Sequence, residues 1–215
     1  MPGTSSLKVA VICSSNMNRS MEAHAFLSKK GFHVRSYGTG DKVKLPGPAP
    51  DKPNCYEFGI TYDEIYQDLL NSYTQNGLLH MLDRNKRIKP RPERFQTAKE
   101  KFDILVTCEE RVYDQVIEAL ESRTPTDNAS VHVINIDIQD NHEEATLGAF
   151  LICELMTMVS ETMVSDASQM VHLLKLTSIS QNMSQSEDLD NDIDELLHDF
   201  EAKCQRPILH CVLFY

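Results

Sequence analysis

Short apolar runs recur along this chain, separated by stretches with helical spacing. LKVAVIC (7–13), HVRSYG (33–38), FDILVTC (102–108) and VHVINID (131–137) are rich in Val and Ile and bounded by turn residues, which predicts buried strands. From Ser20 onward Ala23, Phe26 and Leu27 share one face and Gly31 stops the pattern, which predicts a helix. Residues 145–164 predict a long helix. Residues 188–203 predict an acidic one, striped by Leu189, Ile193, Leu196, Leu197 and Phe200. The closing ILHCVLFY reads as a docked edge strand. Strands alternating with helices imply an α/β fold: a mostly parallel central sheet with helices on both faces, in one domain over residues 1–215.

Three stretches interrupt that rhythm. Residues 39–100 form a long insertion, read as a lid that binds substrate, with coverage of a sheet edge as the plainer alternative. It opens on a segment where Pro46, Pro48, Pro50 and Pro53 enforce extended backbone. Its basic run RNKRIKPRPER (84–94) reads as solvated surface, a nuclear-import signal or a phosphate-binding patch. Residues 156–187 read as a lengthened, loop-like link. Thr107 and Glu110 have capping-box spacing, which predicts a structural role at a helix start.

Composition narrows the class. The chain has 215 residues, 41% of them hydrophobic and 25% charged, as in an ordinary globular protein. MPGTSSLKVAVIC has no secretory pattern, and no run of about 18 apolar residues predicts a membrane span. The scattered cysteines (13, 55, 108, 153, 204 and 211) suit free thiols in a reducing compartment, cytosol or nucleus. The net charge of −11 argues against general nucleic-acid binding, yet it is uneven. Residues 1–100 carry 15 Lys and Arg against 10 Asp and Glu, while residues 101–215 carry 6 against 22. A basic front half suits an anionic ligand. The eight histidines are dispersed without ligand spacing, so no metal site and no cofactor is predicted.

The first strand ends in Cys13-Ser14-Ser15-Asn16-Met17-Asn18-Arg19, and Ser20 opens the helix. A thiol is a poor nucleophile at neutral pH unless its thiolate is stabilised. A loop wrapping toward a helix N-terminus does this, because its N–H groups and the helix dipole converge on sulfur and on any adjacent anion. Arg19 can grip phosphate oxygens with its planar fork, Ser20 can donate to the thiolate, and Asn16 can hold the loop's shape. In parallel sheets ligands sit beyond the carboxyl ends of strands, which is where Cys13 falls. A general acid is also needed, and NIDIQDNHEEATLG, after the fourth strand, offers Asp140 ahead of Asp137. Asp140 as a mere N-cap is the alternative there, and His142, Glu143 and Glu144 read as first-turn dipole partners.

VICSSNMNRSMEAH resembles the phosphate loop of the low-molecular-weight tyrosine phosphatase fold. Members of that fold often carry a second, protective cysteine in the loop, where this chain has Met17 and Asn18. More closely, CSSNMNRSMEAH, VKLPGPAPDKPN, YTQNGLLHMLDRNKRIKPRPERF, TCEERVYDQV and DIQDNHEEATLGAF resemble the Ssu-seventy-two family of RNA polymerase II carboxy-terminal-domain phosphatases. The resemblance implies a nuclear, cysteine-dependent phosphatase of the repeat's fifth-position phosphoserine, with its Ser-Pro bond in cis. It further implies work in pre-mRNA 3′-end processing beside a symplekin-type scaffold. Carried over motif by motif, Cys13 becomes the nucleophile, Arg19 the phosphate clamp and Asp140 the general acid. Lys44, Leu45, Pro46, Tyr73 and Met81, with Met17, border the peptide groove. Against the family pattern the segment before YTQNG reads as shorter and residues 156–186 as longer.

Three rivals stand beside this reading. A phosphopeptide-binding scaffold of the same fold need not keep Cys13, Arg19, Ser20 and Asp140 together. A phosphotyrosine phosphatase would differ only in substrate. An arsenate reductase would need resolving cysteines, for which Cys204 and Cys211 are the candidates.

Overall fold

The computed structural model describes residues 7–49, 51–71, 76–124, 126–176 and 185–215, with backbone alone for 71, 76, 163–176 and 185–192. In chain order the elements are β1 (Lys8–Cys13), α1 (Arg19–Lys29), β2 (His33–Gly38), β3 (Val43–Ala49), β4 (Lys52–Tyr56), α2 (Tyr62–Asn71) and α3 (Asn76–Ile88). After a 3₁₀ turn at Phe95–Thr97 come β5 (Ile104–Thr107), α4 (Glu110–Glu121), β6 (Ser130–Ile136), α5 (His142–Leu176), α6 (Gln185–Cys204) and β7 (Ile208–Phe214).

Strands order as β2-β1-β5-β6-β7, all parallel except β7, which runs antiparallel to β6 from Ser130↔Phe214 to Ile136↔Ile208. The apolar run of β1 is explained by burial on both faces. Val9, Val11 and Cys13 join a core with residues of α1, α5 and α6, while Ala10 and Ile12 join Tyr37, Phe95, Phe102 and residues of α4. At roughly 1.5–3 kcal/mol for each large side chain removed from water, such a strand is stable only at the sheet's centre. Helix α1 ends where Gly31, at φ +89°, takes the left-handed turn that lets the Phe32 N–H reach the Leu27 carbonyl at 3.1 Å.

Several expectations are corrected. The Thr107–Glu110 capping box does not form. The Thr107 hydroxyl lies inside the sheet, 2.8 Å from Asn135 Oδ1, so α4 starts later, and Asp137 Oδ1 accepts the Glu110 N–H at 3.1 Å. The proline-rich stretch is extended, as its prolines predict, with Pro46, Pro48 and Pro53 in the antiparallel β3–β4 hairpin, whose register shifts between Leu45 and Ala49, and Pro50 outside the described residues. Residues 156–176 continue α5 and α6 begins at Gln185, so of the link only 177–184 lies outside the described residues.

The run 84–94 is folded rather than a free basic patch. Lys86 pairs with Asp63, Arg87 with Asp83, Lys89 with Glu93 and Arg94 with Asp41, and Arg91 donates to the Gly59 carbonyl. Residues 142–162 of α5 reach a mean hydropathy of 1.2 and are long enough to cross a membrane. Ala145, Ala149, Ile152, Met156 and Val159 of this stretch are buried in the core, while Leu147 and Phe150 are exposed. The insertion has a core of its own: Val43, Leu45, Tyr62, Ile65, Leu69 and Leu82 enclose Met17 and Met21 of the loop–helix junction.

Candidate active site

Because β1, β5 and β6 are parallel, the segments after Cys13, Thr107 and Ile136 emerge at one edge of the sheet. There the loop 13–19 turns through Asn16, held at φ +53° and fully buried. Asn tolerates this left-handed backbone better than most side chains, and its amide is fixed on both ends. Asn16 Oδ1 accepts the Glu93 N–H at 3.0 Å, so Nδ2 must be the atom facing Ser20 Oγ at 3.1 Å. Ser20 therefore accepts from Asn16 and keeps its own proton for Cys13 Sγ, 3.0 Å away. Gly38 allows the loop this close: a Cβ there would lie 2.8 Å from the Ser14 carbonyl oxygen and 3.0 Å from the Asn16 nitrogen.

Arg19 is 3% exposed and locked from the C-terminal side of the chain. It donates to the carbonyls of Ile138 (2.8 Å) and Cys108 (3.3 Å) and pairs with Glu109 Oε2 at 2.7 Å. Its Nε is buried without a hydrogen-bond partner, a donor suited to a phosphate oxygen. Burial opposes its charge, yet the neighbouring Cys13 sulfur, Asp140, Cys108 and Glu109 outweigh burial and raise its pKa above the usual arginine range. At the same depth Cys108, fully buried, has its thiol pushed well up by desolvation, which suits an inert core cysteine.

Of the two candidate acids, Asp137 spends its carboxylate on the N-terminus of α4 and on Asn135 Nδ2 at 3.0 Å. Asp140 caps neither α4 nor α5. Its Oδ1 accepts from Asn18 Nδ2 at 3.0 Å and lies 3.6 Å from Arg19 Nε, while the carboxylate stays 58% exposed. The N-cap of α5 is Asn141, whose Oδ1 accepts the Glu144 N–H at 2.9 Å. Cys13, Asn18 and Asp140 open onto a cleft of about 640 Å³ that Met17, Lys44, Leu45, Pro46 and Met81 also line. Ser15, the loop's next lining residue, accepts the Lys44 N–H through Oγ at 3.2 Å. Ser14 sits behind, its carbonyl taking the Gly40 N–H at 2.9 Å. Tyr73 lies outside the described residues.

A thiol beside a hydroxyl donor, a buried guanidinium and a tethered carboxylate form a site suited to phosphate monoesters. A family model described as Ssu72-like protein matches residues 7–215. The chain belongs to this family. The human RNA polymerase II C-terminal domain phosphatase SSU72 is 60% identical over 216 residues, 99% of each chain. The Caenorhabditis elegans phosphatase ssup-72 is 49% identical over 221 residues, the full length of both. Among solved structures, Drosophila melanogaster Ssu72 with symplekin and a cis peptidomimetic CTD phospho-Ser5 peptide superposes with a TM-score of 0.82 at 54% identity. That match covers 98% of this chain and all of that one.

Sequence reasoning about this Ssu72-like chain missed Glu109, Asn141, Tyr62, Arg84 and Asn85, as well as His80 on the cleft wall, and took His142, which also lines the cleft, only as a first-turn dipole partner. Glu109 was within reach, since it directly follows the end of a parallel strand, the same placement that singled out Cys13. Arg84 and Asn85 were hidden in a run read only for its charge.

Proposed function

We propose that this chain is a cysteine-dependent protein phosphatase of the RNA polymerase II carboxy-terminal repeat, acting on the fifth-position phosphoserine ahead of a cis Ser-Pro bond. One observation carries the reading: Cys13 and Asp140 open on one cleft, with the buried Arg19 Nε 3.6 Å from Asp140, in a chain 60% identical, end to end, to a named phosphatase of that domain. The Drosophila relative solved with a cis phospho-Ser5 mimic and symplekin supports the choice of peptide and of a symplekin-type partner. The same relationship supports a role in pre-mRNA processing and a nuclear location.

The chemistry follows from the atoms. Cys13 Sγ, with the Ser20 hydroxyl 3.0 Å away to meet its negative charge, attacks phosphorus and forms the S–P bond. The P–O bond to the substrate serine breaks as Asp140 gives that oxygen a proton. Arg19 holds the equatorial oxygens, whose charge shifts in the transition state; one such donor is worth about 10²–10³ in rate. Asp140, now ionised, takes a proton from water as the water attacks phosphorus. The S–P bond breaks and inorganic phosphate leaves the restored thiolate. Lys44, exposed at the cleft's edge, supplies a cation that suits a phosphopeptide.

Phosphate release from a Tyr-Ser-Pro-Thr-Ser-Pro-Ser peptide phosphorylated on its fifth residue tests this, with wild type and Cys13→Ser side by side. Release by wild type alone, with peptide binding retained by the variant, is expected. Equal release by both overturns the cysteine mechanism. Release by neither, with binding by both, leaves a phosphopeptide-binding scaffold.

A further inference from the structure

A loop that turns its N–H groups toward an anion turns its carbonyls the other way, and buried carbonyls need donors. Here those donors come from the 39–100 insertion. The Cys13 and Ser14 carbonyls take the N–H groups of Thr39 (3.1 Å) and Gly40 (2.9 Å), just beyond β2. The Asn16 carbonyl takes the Tyr62 hydroxyl at 2.7 Å, from α2. The Met17 carbonyl takes Asn85 Nδ2 at 2.8 Å and an Arg84 amino group at 3.2 Å, and the same Arg84 group lies 3.4 Å from the Asn18 carbonyl, all from α3.

We propose that Tyr62, Arg84 and Asn85 are positioning residues of the phosphate loop, and that they set its anion affinity by holding the carbonyls of Asn16 and Met17 outward, while the Asn18 carbonyl is held by the Glu22 N–H of α1 at 2.9 Å. A lid that only covered an edge or gripped a peptide would have no use for them. Tyr62 and Asn85 are fully buried beside Ile65, Leu69 and Leu82, where an unpaired hydroxyl or amide would be destabilising. Their acceptors are loop carbonyls. The Asn85 amide has one orientation, because Oδ1 accepts from Arg84 Nε and an amino group at 3.1 and 3.0 Å, which leaves Nδ2 for Met17. Arg84 is held in turn by Glu22 of α1, so loop, helix and insertion share one buried network. Desolvation raises the Tyr62 pKa and keeps the phenol a donor at any working pH. Desolvation lowers that of Arg84 to about 10, which leaves it cationic at neutrality.

The inference rests on the reading that this loop binds phosphate and that Cys13 attacks it, so its test uses a substrate too small to need a peptide groove. Tyr62→Phe, Arg84→Lys, Asn85→Ala and Cys13→Ser are assayed with p-nitrophenyl phosphate, with orthovanadate as inhibitor and with the phosphopeptide, alongside thermal melts. Asn85→Ala is expected to lower kcat/KM for p-nitrophenyl phosphate about 10–100-fold and Tyr62→Phe about 10-fold, mostly in kcat. Orthovanadate inhibition should weaken by similar factors, with Arg84→Lys partly spared because it keeps a cation and a donor.

Unchanged aryl phosphate turnover and vanadate inhibition in folded variants, with only the phosphopeptide KM raised, would overturn the proposal. Tyr62→Phe removes a single oxygen and decides the matter even if Asn85→Ala fails to fold. Turnover by Cys13→Ser overturns the underlying reading. Cys13-dependent turnover that none of the other three variants alters overturns the positioning role alone.

Discussion

The strand–loop–helix of residues 8–29 and the insertion of residues 39–100 meet at one cleft, and they use polar groups in opposite ways. The first gathers donors around a point where negative charge is to sit, with Ser20 and Arg19 beside Cys13. The second spends its buried Tyr62 and Asn85 and its partly buried Arg84 on the outer side of that loop and offers the cleft apolar surface from Leu45, Pro46 and Met81. A reacting loop and a supporting shell can therefore look alike in composition while doing different work. The difference lies in which side of the backbone each donor reaches.

That contrast can be broken at several points. Arg19→Lys keeps the charge and loses the planar guanidinium whose Nη1 serves Ile138, Cys108 and Glu109 while Nε is left without a hydrogen-bond partner. A loss of about 10³ in kcat/KM is expected on any phosphate monoester, read by steady-state kinetics. Gly38→Ala drives a methyl group into the Ser14 carbonyl from the supporting side. Activity should fall about 100-fold while the melt stays cooperative, as expected when reacting atoms shift by about 1 Å. Asp140→Asn should slow phosphoserine peptide about 100-fold and p-nitrophenyl phosphate only a few-fold, because a phenolate leaves without a proton. Equal losses on both would move the acid elsewhere.

Stability gives a smaller but sharper comparison. Ile65 in the insertion core and Ile152 of α5 are both fully buried, so Ile65→Ala and Ile152→Ala should each destabilise by about 2–4 kcal/mol. If the insertion is integral, both variants unfold in one transition; a separate early transition in Ile65→Ala would make it a detachable lid.

The last effect is one of pH. His24, whose Nδ1 lies 2.8 Å from Ser36 Oγ, has its pKa lowered to about 4, first by burial and then by Lys89 and Arg35. Between its unfolded value near 6.5 and 4 the unfolded chain binds the extra proton. Folding stability should therefore fall as pH drops through that window, by about 3 kcal/mol at most. His24→Gln should flatten that slope in urea titrations.

Much of the first region was legible because its signals are local. A continuous apolar run marks β1, a 3.6-residue stripe and Gly31 bound α1, and the cysteine–arginine spacing sits between them. The insertion resisted for physical reasons. Four prolines suggested only extended chain, although proline is tolerated in a two-stranded hairpin that needs few ladder bonds. Charge along 84–94 could not reveal that Arg84 turns inward while Arg87 stays at the surface. The partners of Tyr62 and Asn85 lie 46 and 68 residues away, a pairing that exists only after the chain has folded. At Thr107, two spaced residues matched a capping box, and a buried hydrogen bond to Asn135 prevailed over the local pattern.

The tight seat of the loop on Gly38 and Gly40 has a consequence for protein engineering. The eight residues from Cys13 to Ser20 are not a portable module. Moved alone to another strand–helix crossing, they would arrive without the glycine edge beneath Ser14, the hydroxyl behind Asn16 or the amide behind Met17. A designer who wants this chemistry in a new scaffold must transplant three stretches that are far apart in the chain, or rebuild their donors from the host.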